Sequence, residues 1–418
     1  MDKLTCRRAL EALRAGVPNR DVVRLLAPLQ PEIETRFRAL LDDTTNGWAE
    51  QQQAPGLLLG GGFGSGKSHQ LEYFRHLALE SNFVCSSIVL SKETPLYDLN
   101  KVYRSCVESA VAPGKNGPAM VEITSTYDTN RAPHYVDLFQ WVHKEPDLDP
   151  RFAATLLLFE RQGGQDEDLR ERIIEEWTGY PMKVSDLRAA LRAVGEGATY
   201  KVGTPMRGQI IRRFEFLSRF FRSAGYSGWV VLLDETEMVS RYSLRQRGLA
   251  YAHLAQLGGQ ARGTTIPGLA CVFTITDDYA GQVIYGKDDI KKVPARLGGE
   301  FGNDALAAQA QTGMRMIERA IDLKAPSADY IFVTYQQVHD LYRTAYDWSP
   351  PDLSDRKEYA LTTRMRQYVR SWINSWDLRR LYDYDANTVT DSVAISYDED
   401  ADLQVESSED DEGIINRL

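Results

Sequence analysis

The chain has 418 residues, of which 43% are hydrophobic and 26% are charged, as in soluble globular proteins, and it is long enough for more than one domain. No apolar run is long enough to cross a membrane, and the first sixteen residues have no continuous apolar stretch, so we expect neither a membrane span nor a secretion signal. The four cysteines lie far apart with no C-x-x-C spacing, which predicts reduced thiols in a cytoplasmic protein and argues against a zinc site.

The negative charge is concentrated at the carboxyl terminus. Residues 396–418 hold nine acidic residues and one arginine, and they account for −8 of the net charge of −10. We interpret residues 391–418 as an acidic, disordered tail that aids solubility. The alternative is a nucleic-acid mimic or a docking strip for a partner. The rest of the chain is nearly neutral and can still carry a basic face.

The first 45 residues have helical periodicity, and Gly16 and Pro18 separate one helix from the next. Residues 46–300 contain four short apolar segments that we predict to be strands: GLLLG near residue 57, FVCSSIVL at 83–90, WVVLLDE at 229–235 and ACVFTITDD at 270–278. Because helical segments separate these strands, we predict an α/β fold with a parallel sheet.

Two further regions are predicted to be helical. Residues 113–205 have no strand signal and are interpreted as a helical insertion in the domain that carries the sheet. Residues 301–390 are predicted to form a helical lid or carboxyl-terminal domain, which is interrupted at 347–355 by DWSPPDLSD. No internal repeat of fixed period is found.

The most specific motif is GGGFGSGKSH at residues 60–69, which fits the pattern G-x-x-x-x-G-K-[ST]. An apolar strand precedes it, and apolar residues at helical spacing follow it, which favours a phosphate loop over an ordinary glycine-rich turn. Lys67 would reach the β- and γ-phosphates of a nucleotide, and the Ser68 hydroxyl would hold Mg²⁺. The predicted nucleotide-binding residues are Gly61, Gly62, Phe63, Gly64, Ser65, Gly66, Lys67, Ser68 and His69.

The strand WVVLLDE predicts the chemistry of the site. It ends in Asp234 and Glu235, at the carboxyl end of a buried strand, where ligands of open α/β sheets bind. Asp234 is the predicted Mg²⁺ residue, and Glu235 is placed to polarise a water molecule. The alternative is a strand that merely ends in acidic residues. A small-molecule kinase rarely needs the second acid and would require a second substrate pocket, which the sequence does not show.

The strand CVFTITDDY supplies a polar residue that could hold the attacking water. We predict Thr276, with Thr274 as the second choice, and we expect alternation along the strand to let only one of them face the site. The alternative is that both are ordinary strand threonines.

Arginines could stabilise charge in the reaction. Arg296 is the candidate for an arginine supplied to a neighbouring subunit, and Arg262 is the second choice; each is also consistent with an ordinary surface position. Arg364, Arg366 and Arg370 lie in a helical segment that fits a lid presenting an arginine to the nucleotide. A basic helix on DNA phosphate and a solvated face are the alternatives.

Taken together, the loop GGFGSGKS, the strand VVLLDE, the threonine-tipped strand and the arginine-bearing carboxyl-terminal helix resemble those of AAA+ ATPases. This resemblance implies a P-loop NTPase sheet in the order 5-1-4-3-2 with a helical lid. The phrase RRALEALRAGVPNRDVVRLL at residues 7–26 is similar to the opening of the BREX phage-defence ATP-binding proteins (BrxD-like), and the similarity extends to about residue 385.

The resemblance implies ATP binding at Gly61–Ser68, a Mg²⁺ and hydrolysis pair at Asp234 and Glu235, and Arg364 as the lid sensor. Arg296 lacks the surrounding signature that AAA+ proteins show. The resemblance also implies that the protein acts on DNA together with a helicase or other defence proteins.

Two functions follow as hypotheses. The first is a DNA-associated, Mg²⁺-dependent AAA+ ATPase of a bacterial anti-phage system, which forms homo-oligomers so that neighbouring subunits complete each site. The second is a nucleotide-gated scaffold with slow hydrolysis that controls assembly with partner proteins. DNA contact would be carried by basic clusters at 207–222 and 364–380, and the acidic tail would oppose it.

Overall fold

The structure is a computed structural model that describes residues 2–16, 19–26, 30–62, 64–163, 166–206, 208–300, 302–324, 327–353 and 365–384, together with residues 397 and 400. The strands are β1 (Leu57–Gly60), β2 (Val84–Val89), β3 (Trp229–Asp234), β4 (Leu269–Ile275) and β5 (Ile321–Asp322). The helices of the amino-terminal half are α1 (Lys3–Ala15), α2 (Arg20–Leu25), α3 (Pro31–Asn46), α4 (Lys67–Glu80), α5 (Leu99–Glu108), α6 (Ala119–Thr126), α7 (Tyr135–Lys144), α8 (Pro150–Gln162), α9 (Glu167–Thr178) and α10 (Val184–Ala193).

The carboxyl-terminal half contains α11 (Ile210–Ser223), α12 (Leu244–Leu257), α13 (Asp289–Pro294), α14 (Asp304–Glu318), α15 (Ala328–Tyr346) and α16 (Met365–Tyr382). A 3₁₀ helix spans Thr236–Arg241, and π-helical turns span Ala280–Tyr285 and Ala295–Glu300. Within the described ranges, no helix is both long and apolar enough to cross a membrane.

The five strands form one parallel sheet in the order β2-β3-β4-β1-β5. Read from the β5 edge, this is β5-β1-β4-β3-β2, the sequence of strands that the AAA+ resemblance implied. Because all strands run the same way, the carboxyl ends of β1, β3 and β4 lie along one edge, where ligands of such sheets bind. The sheet therefore brings the loop after β1 near the acidic end of β3.

The prediction of an α/β fold with a parallel sheet is confirmed, and the four predicted strands are all present with slightly different bounds. The fifth strand lies beyond the boundary that the sequence analysis placed at residue 300. It contains only Ile321 and Asp322, and it pairs with Leu59 and Gly60 of β1. Two residues are too few to show a strand pattern, so only the pairing reveals this strand.

Apolar residues on β3 point alternately to the two faces of the sheet, and both faces are covered. Val231 and Leu233 belong to the large core that includes residues of α5, α6 to α10, α11 and α12. Val230 and Leu232 belong to the core formed with α3 and α4. This double burial explains why the strand reads as a continuous apolar run rather than an alternating one.

Helix α4 begins directly after the glycine loop, at Lys67, and packs on the sheet. Its apolar residues Leu71, Phe74, Leu77 and Ala78 are buried, as their spacing predicted. The Phe74 ring stacks on Phe37 of α3, with ring centroids 3.9 Å apart. The packing of α4 against α3 thus sets the orientation of α4, whose amino terminus points at the edge of the sheet.

The first two helices, α1 and α2, pack with the last two described helices, α15 and α16, in a separate apolar cluster. Gly16 ends α1 in the left-handed conformation, and the Asn19 side chain caps α2 by accepting a hydrogen bond from the Val22 N–H (2.9 Å). Arg14 of α1 pairs with Asp377 of α16 (2.7 Å). Helices α1 and α2 therefore pack with the helices of the predicted lid, whereas α3 packs with α4.

The arginine cluster predicted at 207–222 does not form an open basic surface among its described members. Arg212 pairs with Glu145 and Glu215, and Arg219 pairs with Glu215 and lies over the Trp48 and Trp141 rings. Arg213 and Arg222 donate to backbone carbonyls. Glu145, Trp48 and Trp141 are distant in the chain, so the sequence could not show these contacts. Phosphate binding by this cluster stays a prediction.

We predict that Phe74→Ala lowers the free energy of unfolding by about 3–5 kcal/mol, because it removes a fully buried ring that stacks on Phe37. Urea denaturation followed by circular dichroism measures the effect. Phe332→Ala is the matched control, since the Phe332 ring is 50% exposed on α15. Equal denaturation midpoints for the two variants would contradict this account of the core.

Candidate functional site

A cavity of about 220 Å³ opens at the carboxyl edge of the sheet. Its floor is the glycine loop and the end of β3, and its other walls come from α1, α2, α15 and α16. The lining residues are Ala12, Leu13, Gly16, Val22, Leu26, Gln30, Gly64, Ser65, Gly66, Lys67, Ser68, His69, Gln70, Asp234, Glu235, Glu237, Leu323, Lys324, Tyr330, Thr334, Gln337, Met365, Arg366 and Val369. The cavity thus has a polar end at the loop and an apolar side at the helices.

The glycine loop presents the amino terminus of α4 to this cavity. Gly64 and Gly66 have positive φ angles of 78° and 100°, which glycine adopts without strain. No side chain caps α4, and its first turn has no acidic residue. The free N–H groups and the positive end of the helix dipole therefore face the cavity, which suits an anion such as phosphate. Phe63 lies outside the described residues.

Lys67 folds back onto the loop. Its Nζ donates to the carbonyl oxygens of Gly61 (2.6 Å) and Gly62 (3.4 Å), and it lies 3.9 Å from a Glu237 carboxylate oxygen. Only 8% of the residue is exposed. A buried ammonium group held mainly by carbonyl oxygens can exchange these partners for a stronger, anionic one.

Ser68 and Asp234 join the loop to the end of β3. The Ser68 hydroxyl donates to Asp234 Oδ2 (2.6 Å), and the Thr274 hydroxyl of β4 donates to the other carboxylate oxygen. A hydroxyl and a carboxylate side by side are oxygen ligands of the kind that Mg²⁺ prefers. The hydrogen bond from Thr274 holds the Asp234 carboxylate in one orientation, as hydrogen bonds to metal-binding carboxylates commonly do.

Glu235 follows Asp234 in the left-handed conformation, with φ 61°. This turn leaves its side chain exposed at the cavity, while its N–H donates to Asp234 Oδ1 (3.0 Å). Partial desolvation and the neighbouring charge of Asp234 raise the pKa of the Glu235 carboxyl. A carboxylate with a raised pKa is a better proton acceptor than an ordinary one.

Glu237 is a cavity residue that the sequence analysis missed. Its carboxylate is largely buried beside Lys67, and its Oε2 has no hydrogen-bond partner. Burial raises the pKa of this carboxyl, and the Lys67 charge opposes the rise. The run DETE at 234–237 could have predicted this residue. A helical turn after Asp234 places Glu237, three residues later, on the same side as Asp234.

The two candidate threonines of β4 have different partners. Thr274 bonds Asp234, whereas the Thr276 hydroxyl shares a hydrogen bond with the Tyr397 hydroxyl (2.9 Å), which also donates to Asp278 (2.5 Å). Residues two apart on a strand point to the same face, so alternation alone does not separate the two threonines; their different partners do, and the second choice, Thr274, is the one that contacts Asp234. The assignment of Thr276 as the water-holding residue stays a prediction.

The predicted arginines lie in different places. Arg366, at the start of α16, lines the cavity, and Arg370 is exposed one turn later. Arg364 lies outside the described residues. Arg296 lies in the π-helical turn at 295–300 and does not line the cavity. Arg262 lies before β4, at the amino-terminal edge of the sheet, on the side away from the loop.

The His69 side chain points away from the loop toward the helical wall. Its Nε2 lies 2.7 Å from the Leu26 carbonyl oxygen, so this nitrogen carries the hydrogen. Burial lowers the pKa of the imidazole, which favours the neutral ring. His69 therefore links α4 to the end of α2, and its backbone N–H is the group left to face an anion.

Several buried polar atoms around the cavity have no hydrogen-bond partner. They belong to Ser65 (Oγ), Gln70 (both side-chain atoms), Glu237 (Oε2) and Arg366 (Nε). Each unpaired buried group costs about 1–3 kcal/mol, so a ligand that supplies partners would recover this energy. The donors among these atoms (Ser65 Oγ, Gln70 Nε2 and Arg366 Nε), the open amino terminus of α4 and the Ser68–Asp234 oxygen pair fit a polyphosphate with a bound divalent cation.

A family model described as BREX system ATP-binding protein BrxC/D matches residues 2–130 and 198–373. The matched segments contain both the loop and β3, as well as the helices that wall the cavity. The segment left between them, 131–197, contains α7 to α10. No match was found among curated proteins or among solved structures.

Pyrophosphate should raise the thermal unfolding midpoint of the wild type and have little effect on Lys67→Met, because Lys67 is the buried cation at the loop. At a hundred times its dissociation constant, a ligand stabilises the folded state by about 2.7 kcal/mol. Lys324→Met is the control, since Lys324 also lines the cavity but pairs with Glu32 (2.8 Å). Equal stabilisation of wild type and Lys67→Met would show that anions do not bind at the loop.

Proposed function

The chain belongs to the BREX system ATP-binding protein BrxC/D family, and from this premise we propose that it is a Mg²⁺-dependent ATPase of a phage-defence system. The catalytic site would be the cavity at Gly61–Ser68. The observation that carries the proposal is the hydrogen bond between Ser68 and Asp234, set beside an uncapped helix amino terminus and a buried lysine.

Nucleotide binding would use both ends of the cavity. At the polar end, the loop N–H groups would hold the β-phosphate, and Lys67 would leave the Gly61 carbonyl oxygen for the β- and γ-phosphates. On the apolar side, Leu13, Leu26 and Met365 offer a surface for the base. Burial of the base against both chain ends would then make binding depend on the amino-terminal helices.

Mg²⁺ fits the oxygen atoms of Ser68 and Asp234, which would hold it together with the phosphates. The bound ion supplies charge neutralisation on the phosphate oxygens. Thr274 keeps the Asp234 carboxylate in one orientation through its hydrogen bond.

Glu235 is the proposed base. Its carboxylate is exposed to the cavity beside Asp234, and its raised pKa increases its affinity for the proton of a water molecule. Glu237 is held close to Lys67 and is largely buried, which suits holding the lysine more than reaching a water. Thr276 would assist by holding the water once its hydroxyl is released from Tyr397.

Assembly and partners extend the proposal. The protein would act in the cytoplasm as a homo-oligomer, with Arg296 reaching the site of a neighbouring copy, and with other defence proteins such as a helicase. DNA contact would rest on α16 and the segment before it, since the described arginines of α11 are engaged within the chain. Residues 46–322 would form the ATPase core and the later helices its lid.

A nucleotide-gated scaffold is the second candidate. One observation favours it: the cavity is walled by the helices of both chain ends, which form their own apolar cluster. Nucleotide occupancy could therefore change how these helices pack. In that case ATP turnover would be slow and would not respond to DNA.

ATP turnover of the wild type, Glu235→Gln and Glu237→Gln, with and without DNA, tests the proposal. Glu235→Gln should still bind ATP but lose turnover by about 10²–10⁴-fold, as expected for removal of a general base. The matched variant Glu237→Gln should keep turnover within about tenfold. If the wild type hydrolyses nothing under either condition, the enzyme proposal fails, and if the two variants rank in the opposite order, Glu237 is the base.

The pH profile gives an independent check of the base. Glu235 must be ionised to accept a proton, and its pKa lies above the ordinary glutamate value of 4.5. Turnover should therefore fall as the pH is lowered through a midpoint above 4.5, and it should be fully present at neutral pH. An acid limb with its midpoint at or below 4.5 would contradict the assignment.

A further inference from the structure

Gly16, at the end of α1, lies against the guanidinium group of Arg366 at the start of α16. We propose that Gly16 is a positioning residue: by lacking a side chain it forms a seat that holds Arg366 in the cavity, where the arginine contacts the phosphates. This inference rests on the proposed function. It assigns a role in the nucleotide site to the amino-terminal helix pair.

The guanidinium group of Arg366 has few partners among the described residues. Its Nε is buried without a hydrogen-bond partner, and its Nη2 donates to the Ala15 carbonyl oxygen at 3.4 Å. A buried N–H donor without a partner costs free energy. An anionic ligand would supply the missing acceptor.

The cavity supplies the place for such a ligand. Arg366 lines it together with Ser65 and Lys67 of the phosphate loop. An arginine keeps its charge at any accessible pH and has five N–H donors, which suits phosphate oxygens. The unpaired Nε is then a donor waiting for the ligand.

Gly16 makes this placement possible for two separate reasons. Its φ of 71° is left-handed, which glycine adopts freely and asparagine tolerates. In addition, a Cβ at residue 16 would overlap with Nε, Nη2 and Cζ of Arg366. The first reason is common at helix ends, whereas the second means that any Cβ at residue 16 would push the guanidinium group out of this position.

The seat is fixed relative to α16 by contacts elsewhere along α1. Arg14 pairs with Asp377 of α16 (2.7 Å), and Arg7 donates to the Ala345 carbonyl oxygen at the end of α15 (2.9 Å). These contacts hold α1 against α15 and α16. A side chain at residue 16 would therefore displace the arginine rather than the helix.

A double-mutant cycle with Gly16→Ala and Arg366→Ala tests the seat. The readouts are the dissociation constant of a fluorescent ATP analogue with Mg²⁺ and the unfolding midpoint without nucleotide. Each single variant should weaken binding by about 10–100-fold, the range for losing charge-assisted hydrogen bonds to phosphate. The double variant should bind no more weakly than Arg366→Ala alone, because Gly16 acts only through the arginine.

Two further variants separate the seat from backbone strain. Gly195→Ala also places a Cβ at a positive φ (81°), but nothing lies within 4 Å of it, so it should leave nucleotide affinity unchanged. Gly16→Asn tolerates the left-handed conformation yet keeps the overlap, so it should fold and still weaken binding. Wild-type affinity in Gly16→Asn, or additive losses in the cycle, would overturn the proposal.

The unfolding data distinguish this proposal from the function on which it rests. Gly16→Ala should lower the midpoint more in the wild-type background than in Arg366→Ala, because only the former contains the overlapping guanidinium group. If the wild type binds no ATP, the proposed function fails, and the role of the seat in nucleotide binding is refuted even where this coupling is found. If ATP binds but the coupling is absent, only the seat is refuted.

Discussion

The hydrogen bond from Ser68 to Asp234 is the contact on which the arrangement of the site depends. In the sheet, β4 lies between β1 and β3, so the loop after β1 and the end of β3 are not neighbours. Thr274 of β4 bridges this gap by holding one Asp234 oxygen while Ser68 holds the other. Side chains of α4, β3 and β4 therefore meet at one carboxylate, and the position of the loop relative to the acidic cluster follows from it.

The other half of the cavity comes from outside the sheet. Helices α1 and α2 from one chain end and α15 and α16 from the other pack into one apolar cluster and stand over the loop. His69 contacts the Leu26 carbonyl oxygen, and Arg366 contacts Gly16. A ligand between the loop and these helices would touch both units, so binding and the packing of the chain ends are physically coupled.

The sequence predicted the parts of the site that depend on local structure. The strand, glycine loop and α4 follow from turn chemistry and helical spacing, and Asp234 follows from its place at the end of an apolar run. The sequence could not predict the features that depend on residues far away in the chain. β5 exists only through its pairing with β1, Arg212 and Arg219 of α11 contact Glu145 and Trp48, and the role proposed for Gly16 depends on Arg366 of α16.

A structure determined with Mg²⁺ and a non-hydrolysable ATP analogue tests the central claim most directly. The account predicts that the triphosphate lies along the amino terminus of α4, with Lys67 Nζ moved from the Gly61 carbonyl oxygen to the phosphates and the metal bound at Ser68 and beside Asp234. Analogue bound elsewhere, or Lys67 still on the Gly61 carbonyl oxygen with the analogue present, would contradict it.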